Sequence, residues 1–192
     1  MGTRGVYGLR KNKQDKTSYN HFDSYPSGLG EQIFAYIKKH SIEEMNDLYD
    51  RLILVDERKS IMELTAIERN KLKELIEYDD KGKMKETDMY WLLRTFQGDL
   101  CKYSEYADID FMCNSNDFIK DSLFCEYGYI INLDTNKLEV FEGFQTKPQK
   151  TNRYGCECDN GYYPCKIIKR INIEDIQNSN KTLEEYLGKH YS

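Results

Sequence analysis

The chain lacks any run of about 18 apolar residues, and it begins without the apolar core of a signal peptide. These two absences argue against a membrane-spanning helix and against export. We therefore predict a cytoplasmic protein, in a bacterial or a host cell, with no membrane partner. Internal repeats and linker-like stretches are also missing, so the 192 residues predict one domain over residues 1–192.

An excess of basic residues is missing as well. Acidic residues number 33 against 28 lysines and arginines, which gives a formal net charge of −5. Proteins that bind nucleic-acid backbones usually concentrate positive charge, so we expect no direct binding of nucleic acid. The acidic balance would suit a basic protein surface, although it also serves solubility alone.

Several familiar site motifs do not occur, namely the G-x-S-x-G nucleophile elbow, the Walker pattern and the dinucleotide fingerprint. Histidine is present only as His21, His40 and His190. A cysteine–histidine catalytic pair would therefore need partners that are far apart in the sequence.

Six cysteines without an export signal indicate reduced thiols rather than a disulfide framework. Cys156, Cys158 and Cys165 have the spacing C-x-C-x6-C and could bind zinc if a fourth ligand came from elsewhere. The paired C-x2-C spacing of zinc sites is missing, so we favour free thiols and predict no metal site. No cofactor follows from the sequence.

Two kinds of hydrophobic pattern are present, one with the period of strands and one with the period of helices. The predicted strands cover residues 3–10, 17–22, 125–132, 137–144 and 162–171. The predicted helices cover residues 29–39, 42–54, 65–78 and 87–97, with a short helix after Thr182. Within this pattern Val6 and Tyr7 lie on opposite strand faces, and Trp91 lies on the core side of its helix. Residues 99–124 carry no readable pattern.

Strands at both ends of the chain with helices at about 29–98 between them predict an α+β fold. We expect the N-terminal and C-terminal hairpins to join one mostly antiparallel sheet, and the central helices to cover it.

The stretch Tyr19–Gly30, Y-N-H-F-D-S-Y-P-S-G-L-G, is the strongest candidate for a site. On a continuing strand His21 and Asp23 would share one face, and a carboxylate can orient a histidine for acid–base catalysis. We therefore name His21 and Asp23 as catalytic candidates.

The candidates for ligand binding surround that pair. Arg4 would reach it from the neighbouring strand, and the helix start would offer N–H groups to an anion. The ligand-binding candidates are Arg4, Tyr19, Tyr25, Ser27, Gly28 and Gly30. The alternative is that S-Y-P-S-G is ordinary turn chemistry, with Asp23 capping the turn.

Two segments resemble a known family. M-G-T-R-G-x-x-G with the Tyr19–Gly30 motif resembles the opening of a broad family of uncharacterised proteins from bacteria, fungi and viruses. A Y-x-I-N-L-D-T-x-x-L-E-V-x-x-G segment, here Tyr129–Gly143, recurs in that family and is followed by G-Y-Y-P at 161–164. The resemblance implies a shared fold and polar motif but no assigned activity, and its spread into viral genomes implies a host-directed role.

Two functions from different classes follow. The first is binding of a small anionic ligand, nucleotide-like in character, with or without hydrolysis, at the strand-to-helix junction 19–30. The second is an acidic, tyrosine-rich phage or mobile-element protein that inhibits a host defence protein by covering its surface. The sequence leaves open whether the protein is an enzyme.

Overall fold

A computed structural model describes residues 2–188 of the chain. The strands are β1 (Gly5–Lys11), β2 (Gln14–Asn20), β3 (Ile53–Val55), β4 (Phe111–Cys113), β5 (Tyr127–Asn132), β6 (Lys137–Glu142) and β7 (Lys166–Asn172). Five of them form one sheet in the order β2-β1-β5-β6-β7, in which only the β1–β5 pair is parallel. The predicted α+β fold with a mostly antiparallel sheet is therefore confirmed.

The two hairpins are formed locally and then tied to each other. Asn12 and Lys13 connect β1 to β2 with φ angles of 53° and 62°, as in the two-residue turns whose twist matches that of the strands. Their backbone N–H groups donate to the Asp134 carboxylate at 2.7 and 2.9 Å. Asp134 lies in the turn of the β5–β6 hairpin, and the bond from Lys13 lowers its pKa.

The sheet has two different faces, as the alternation of Val6 and Tyr7 predicts. One face carries Tyr7, Leu9 and Tyr129 into the main core beneath the helices. The opposite face carries a smaller core made of Val6, Ile119, Cys125, Ile130, Phe141 and Cys165. Further along the same strands this second face becomes polar, because Arg10, Asp15 and Glu139 occupy the corresponding positions.

The helices cover the first face and fill the middle of the chain. They are α1 (Glu31–Lys39), α2 (Ile42–Arg51), α3 (Ala66–Lys71), α4 (Met89–Leu92), α5 (Leu100–Glu105), α6 (Ile173–Gln177) and α7 (Leu183–Leu187). Capping boxes begin α2, α3 and α7 at Ser41, Thr65 and Thr182, which explains why their starts are visible in the sequence. Within residues 2–188 no helix is long and apolar enough to cross a membrane.

Two helix predictions are wrong. The helix that begins after Thr65 ends at Lys71 instead of Tyr78, and it buries none of its own side chains, so packing does not extend it. Trp91 is 62% exposed, whereas Leu92 and Phe96 are buried as predicted. The helix around Trp91 is only four residues long and continues as a 3-10 turn, so the helical period assumed for Trp91 does not extend through this segment.

The unreadable segment 99–124 contains α5, β4 and a 3-10 turn at Phe118–Lys120. Strand β4 pairs with β3 outside the main sheet. After β4 the chain runs along the free edge of β2, where the Ser115 N–H donates to the Thr17 carbonyl at 2.9 Å. This segment forms the wall of the cleft described next.

Candidate functional site

Strand β2 ends at Asn20, so the chain turns before the histidine and the aspartate of the motif. The Asn20 side-chain amide donates to the Phe22 carbonyl at 2.5 Å and to Ser24 Oγ at 2.8 Å. Asp23 takes a φ of 53°, in the left-handed region. The expectation that a continuing strand would present His21 and Asp23 on one face is therefore corrected.

The two glycines of the motif serve close packing. A Cβ on Gly28 would lie 2.2 Å from the Asp23 carbonyl oxygen, and one on Gly30 would lie 2.5 Å from Leu183 Cδ2. Gly28 thus requires glycine for reasons of space, whereas a side chain at position 30 would displace the Leu183 side chain.

The amides at the start of α1 are used within the turn itself. The N–H groups of Gly28 and Gly30 donate to the Tyr25 carbonyl at 2.9 and 3.4 Å, and the Leu29 N–H donates to the Asp23 carbonyl at 2.8 Å. The turn between Pro26 and Gly30 is wide, with the geometry of a π-helix. The expected set of amides directed at an anion is therefore occupied by backbone carbonyls.

Tyr19, rather than Asp23, is the partner of His21. The Tyr19 hydroxyl lies 2.6 Å from His21 Nδ1, and the two rings meet edge to face. The Asp23 carboxylate instead accepts a hydrogen bond of 3.3 Å from the Tyr25 hydroxyl, and both Asp23 and Ser27 are exposed. The catalytic role of Asp23 and the ligand roles of Tyr25 and Ser27 remain predictions.

Two arginines influence this pair. Partial burial lowers the pKa of His21 first, and the positive charges of Arg94 and then Arg4 lower it further. Burial also raises the pKa of the Tyr19 hydroxyl, which Arg4 and Arg94 oppose. The Arg4 charge thus acts on His21, and the Arg4 guanidinium lies 5.3 Å from the ring centre of Phe124, while the role of Arg4 in ligand binding remains a prediction.

The hydroxyl of Tyr19 opens onto a cleft of about 570 Å³, which we call the Tyr19 cleft. Its lining consists of Tyr19, Glu57, Tyr90, Asn114, Ser115, Asn116, Asp117, Phe118 and Asp121. Three aromatic rings form its apolar walls, and the Phe118 ring meets that of Tyr19 edge to face at 5.0 Å. Asn116 is held rigidly because its side-chain oxygen accepts from Thr17 N and Thr17 Oγ1 at 2.9 and 2.8 Å.

Sequence reasoning missed the residues that come from the helical middle. Arg94 stacks over the rings of Tyr90 and Trp91 at 5.2 and 5.4 Å, and it also donates a hydrogen bond to the Tyr90 hydroxyl. The exposed Trp91, a costly residue to leave in solvent, was placed in the core by periodicity and gave no signal of this arrangement. Glu57 and Asn114 lie in loops whose path depends on the β3–β4 pair.

The structure separates the three cysteines considered for zinc. Cys165 is fully buried, and its Sγ lies 3.2 Å from the Cys125 carbonyl, whereas Cys156 and Cys158 are exposed. Across residues 2–188 there is no group of three or more His, Cys, Asp or Glu side chains that could hold a metal ion. His190 lies outside the described residues.

No family model, no curated protein and no solved structure matches the chain.

Proposed function

We propose that the chain binds a small anionic ligand with a planar ring, such as a nucleotide. The ligand would lie in the Tyr19 cleft, where the 19–30 junction begins. The observation that carries the proposal is the Tyr19–His21 pair at 2.6 Å beside the cleft, with two arginine charges close enough to act on it. Hydroxyl, imidazole and guanidinium groups together suit a phosphate or carboxylate.

Different residues would contact the two ends of the ligand. Tyr19, Tyr90 and Phe118 supply ring faces, on which a base or another planar group would stack. The lining itself is acidic and contains no arginine, so the anionic group of the ligand would lie outside the lining, on the side of Arg4 and Arg94. Glu57 would accept hydrogen bonds from N–H or hydroxyl groups of the ring end.

Hydrolysis of the ligand would depend on His21. Its lowered pKa keeps the imidazole neutral at pH 7, which is the form that accepts a proton from an attacking water. In the tautomer that carries its hydrogen on Nδ1, His21 would donate that hydrogen to the Tyr19 oxygen, and Nε2 would be free to accept the proton of the water. If the wild type releases inorganic phosphate from the ligand and His21→Ala does not, His21 has this enzymatic role. If the ligand binds and no phosphate is released, the protein binds the ligand without hydrolysing it.

Calorimetric titration with a nucleoside monophosphate, the parent nucleoside and inorganic phosphate tests the binding proposal. We expect the monophosphate to bind most tightly, and Tyr19→Phe to weaken it about 3- to 10-fold by removing one hydrogen-bonding group. Tyr78→Phe is the matched control, because Tyr78 is an exposed tyrosine outside the cleft lining. Equal affinities for wild type, Tyr19→Phe and His21→Ala would exclude this cleft.

A separate observation supports a second candidate function. We propose that an exposed surface of this chain covers a basic host protein. Phe22 and Trp91 are 55% and 62% exposed, and each contacts a member of the site, Phe22 through His21 at 4.2 Å and Trp91 through Arg94. Exposed aromatic side chains of this kind commonly anchor protein interfaces. A purified host protein that binds the wild type but not the double variant Phe22→Ser/Trp91→Ser would support this candidate. A host protein that binds the wild type and the double variant equally would exclude this surface.

A further inference from the structure

The polar half of the second sheet face contains a connected set of ion pairs. Arg10 lies 2.7 Å from Asp15, whose other oxygen accepts a bond of 2.8 Å from the Tyr154 hydroxyl. Arg153 donates to Tyr154 Oη at 2.9 Å and to the Glu139 carboxylate. The side chain of Glu139 is 4% exposed and that of Asp15 is 10% exposed. These charges are therefore held largely away from water.

Two clefts of about 460 and 540 Å³ lie over this network, and both are lined by Arg10, Lys13 and Arg153. The first also contains Lys120, Asp15 and Asp117, and the second contains Asp134. Because the two linings share three of their cations, together they hold four positive side chains against three negative ones. The Tyr19 cleft has three acidic side chains and no basic one in its lining. The two clefts therefore carry a small excess of positive charge, in contrast to the acidic lining of the Tyr19 cleft.

The ion pairs with Asp15 and Glu139 fix the orientation of the Arg10 and Arg153 guanidinium groups. Buried ion pairs lose hydration, and apolar residues of similar volume commonly serve a core as well or better. The hydrogen bonding of Arg153 is also incomplete, because its buried Nε has no partner among residues 2–188. An arginine whose orientation is fixed before binding is typical of an anion site, because this rigidity lowers the cost of binding.

We propose that Arg10, Lys13 and Arg153 form a binding site for a phosphate-class anion, which we call the anion cleft. Arg10 and Arg153 supply planar groups whose orientation is set by Asp15, Glu139 and Tyr154. Lys13 lies exposed in the β1–β2 turn and supplies a mobile point charge. Phosphate fits this set because it has several oxygens and more than one negative charge. The site is separate from the Tyr19 cleft and does not depend on the function proposed there.

The test is calorimetric titration of the full chain with inorganic pyrophosphate at low salt. We expect saturable binding that Lys13→Gln weakens about tenfold. Lys11→Gln is the matched control, because Lys11 belongs to the same hairpin but pairs with Asp50 at 2.7 Å and lines neither cleft. His21→Ala should bind pyrophosphate as wild type does. Arg153→Gln should lose binding, and Lys13→Gln keeps the test valid if Arg153→Gln fails to fold.

The proposal is overturned if wild type shows no saturable binding of pyrophosphate, or if Lys11→Gln and Lys13→Gln weaken it equally. Loss of pyrophosphate binding in His21→Ala would also overturn the proposal, because it would show that pyrophosphate binds in the Tyr19 cleft instead. A simple organic diphosphate ester identifies the source of the anion. Equal affinity for ester and pyrophosphate assigns the site to the free anion, and tighter binding of the ester assigns it to a phosphorylated metabolite.

Discussion

Tyr19 and Asp15 lie four residues apart on the same face of β2, yet they belong to two clefts with opposite properties. Around Tyr19 the walls are aromatic and acidic, and the positive charges lie outside the lining, beside His21. Around Asp15 the residues form a network of ion pairs beneath a cleft with excess positive charge. The alternation of β2 places both residues on one face, but the neighbouring elements decide what each one meets.

Asn116 divides the two clefts and lines both of them. Its side-chain oxygen holds Thr17, which lies between Tyr19 and Asp15 on β2, and its side-chain amide donates to the Asp15 carbonyl at 2.8 Å. The wall is therefore part of the fold, and a ligand in one cleft is kept apart from the other.

The largest expected effect is on stability, and it concerns the network of ion pairs around Asp15 and Glu139. Glu139→Ala should lower the free energy of unfolding by about 3–5 kcal/mol, because it leaves the Arg153 guanidinium without its buried partner. Urea denaturation measures this value. In the other cleft, Tyr19→Phe should cost less than about 1.5 kcal/mol, since one hydrogen bond is lost at a half-buried position. Equal losses would mean that the Glu139 pair is no more important to stability than a surface contact.

Gly28→Ala should lower the free energy of unfolding by about 3 kcal/mol, since the new Cβ would lie 2.2 Å from a backbone oxygen. The turn that leads out of β2 would have to move, so binding in the Tyr19 cleft should weaken while pyrophosphate binding stays unchanged. Gly82→Ala is a comparison without a clash, because the space around its Cβ position is open and only its φ of 74° strains the alanine, so it should cost less than Gly28→Ala. A wild-type denaturation midpoint for Gly28→Ala would show that the turn adapts.

Asn116→Ala should cost about 2 kcal/mol, because the Thr17 N–H loses its acceptor in the middle of β2. As the shared wall, Asn116 should affect both ligands, so titrations with nucleotide and with pyrophosphate should both weaken. Asn114→Ala is the matched comparison, since Asn114 lines only the Tyr19 cleft. A variant that loses one ligand alone would show that Asn116 belongs to one cleft and not to both.

The smallest expected effect is a change in the pKa of His21. The pKa of His21 should lie below 6.5 in the folded protein and should rise in Arg94→Gln, because one of the positive charges that lowers it is removed. Lys13→Gln, in the other cleft, should leave this pKa unchanged. Titration of the histidine ring protons by NMR, with His21→Ala for assignment, measures both.

The same shift has a consequence for stability. Because the folded pKa lies below the unfolded value of 6.5, the stabilising contribution of neutral His21 is complete above about pH 6.5. It is lost as the pH falls from there through the folded pKa. A stability curve for His21→Ala that keeps the full acid-side loss of wild type would assign that loss to other groups.

Much of the fold was predictable because its signals are local. The β5–β6 hairpin and the starts of α3 and α7 follow from neighbouring residues, through alternation and capping boxes. The ends of elements were less predictable. The continuation of β2 to Phe22 was predicted from strand pattern, and the Asn20 side chain stops it by bonding to the Phe22 carbonyl and Ser24. That bond depends on how Ser24 is buried against the sheet.

The sequence by itself determined the two hairpins, the α+β class and the presence of a polar motif after β2, because each depends on residues close along the chain. Only the tertiary structure decided that Tyr19 orients His21, that Arg94 joins Arg4 beside it, and that Arg153 meets Glu139 beneath a separate cleft. The physical reason is that a charge acts through space. Contacts such as Arg10 with Asp15 can be proposed from a hairpin register, but those with Arg153 require the loop after β6 to fold back over the sheet.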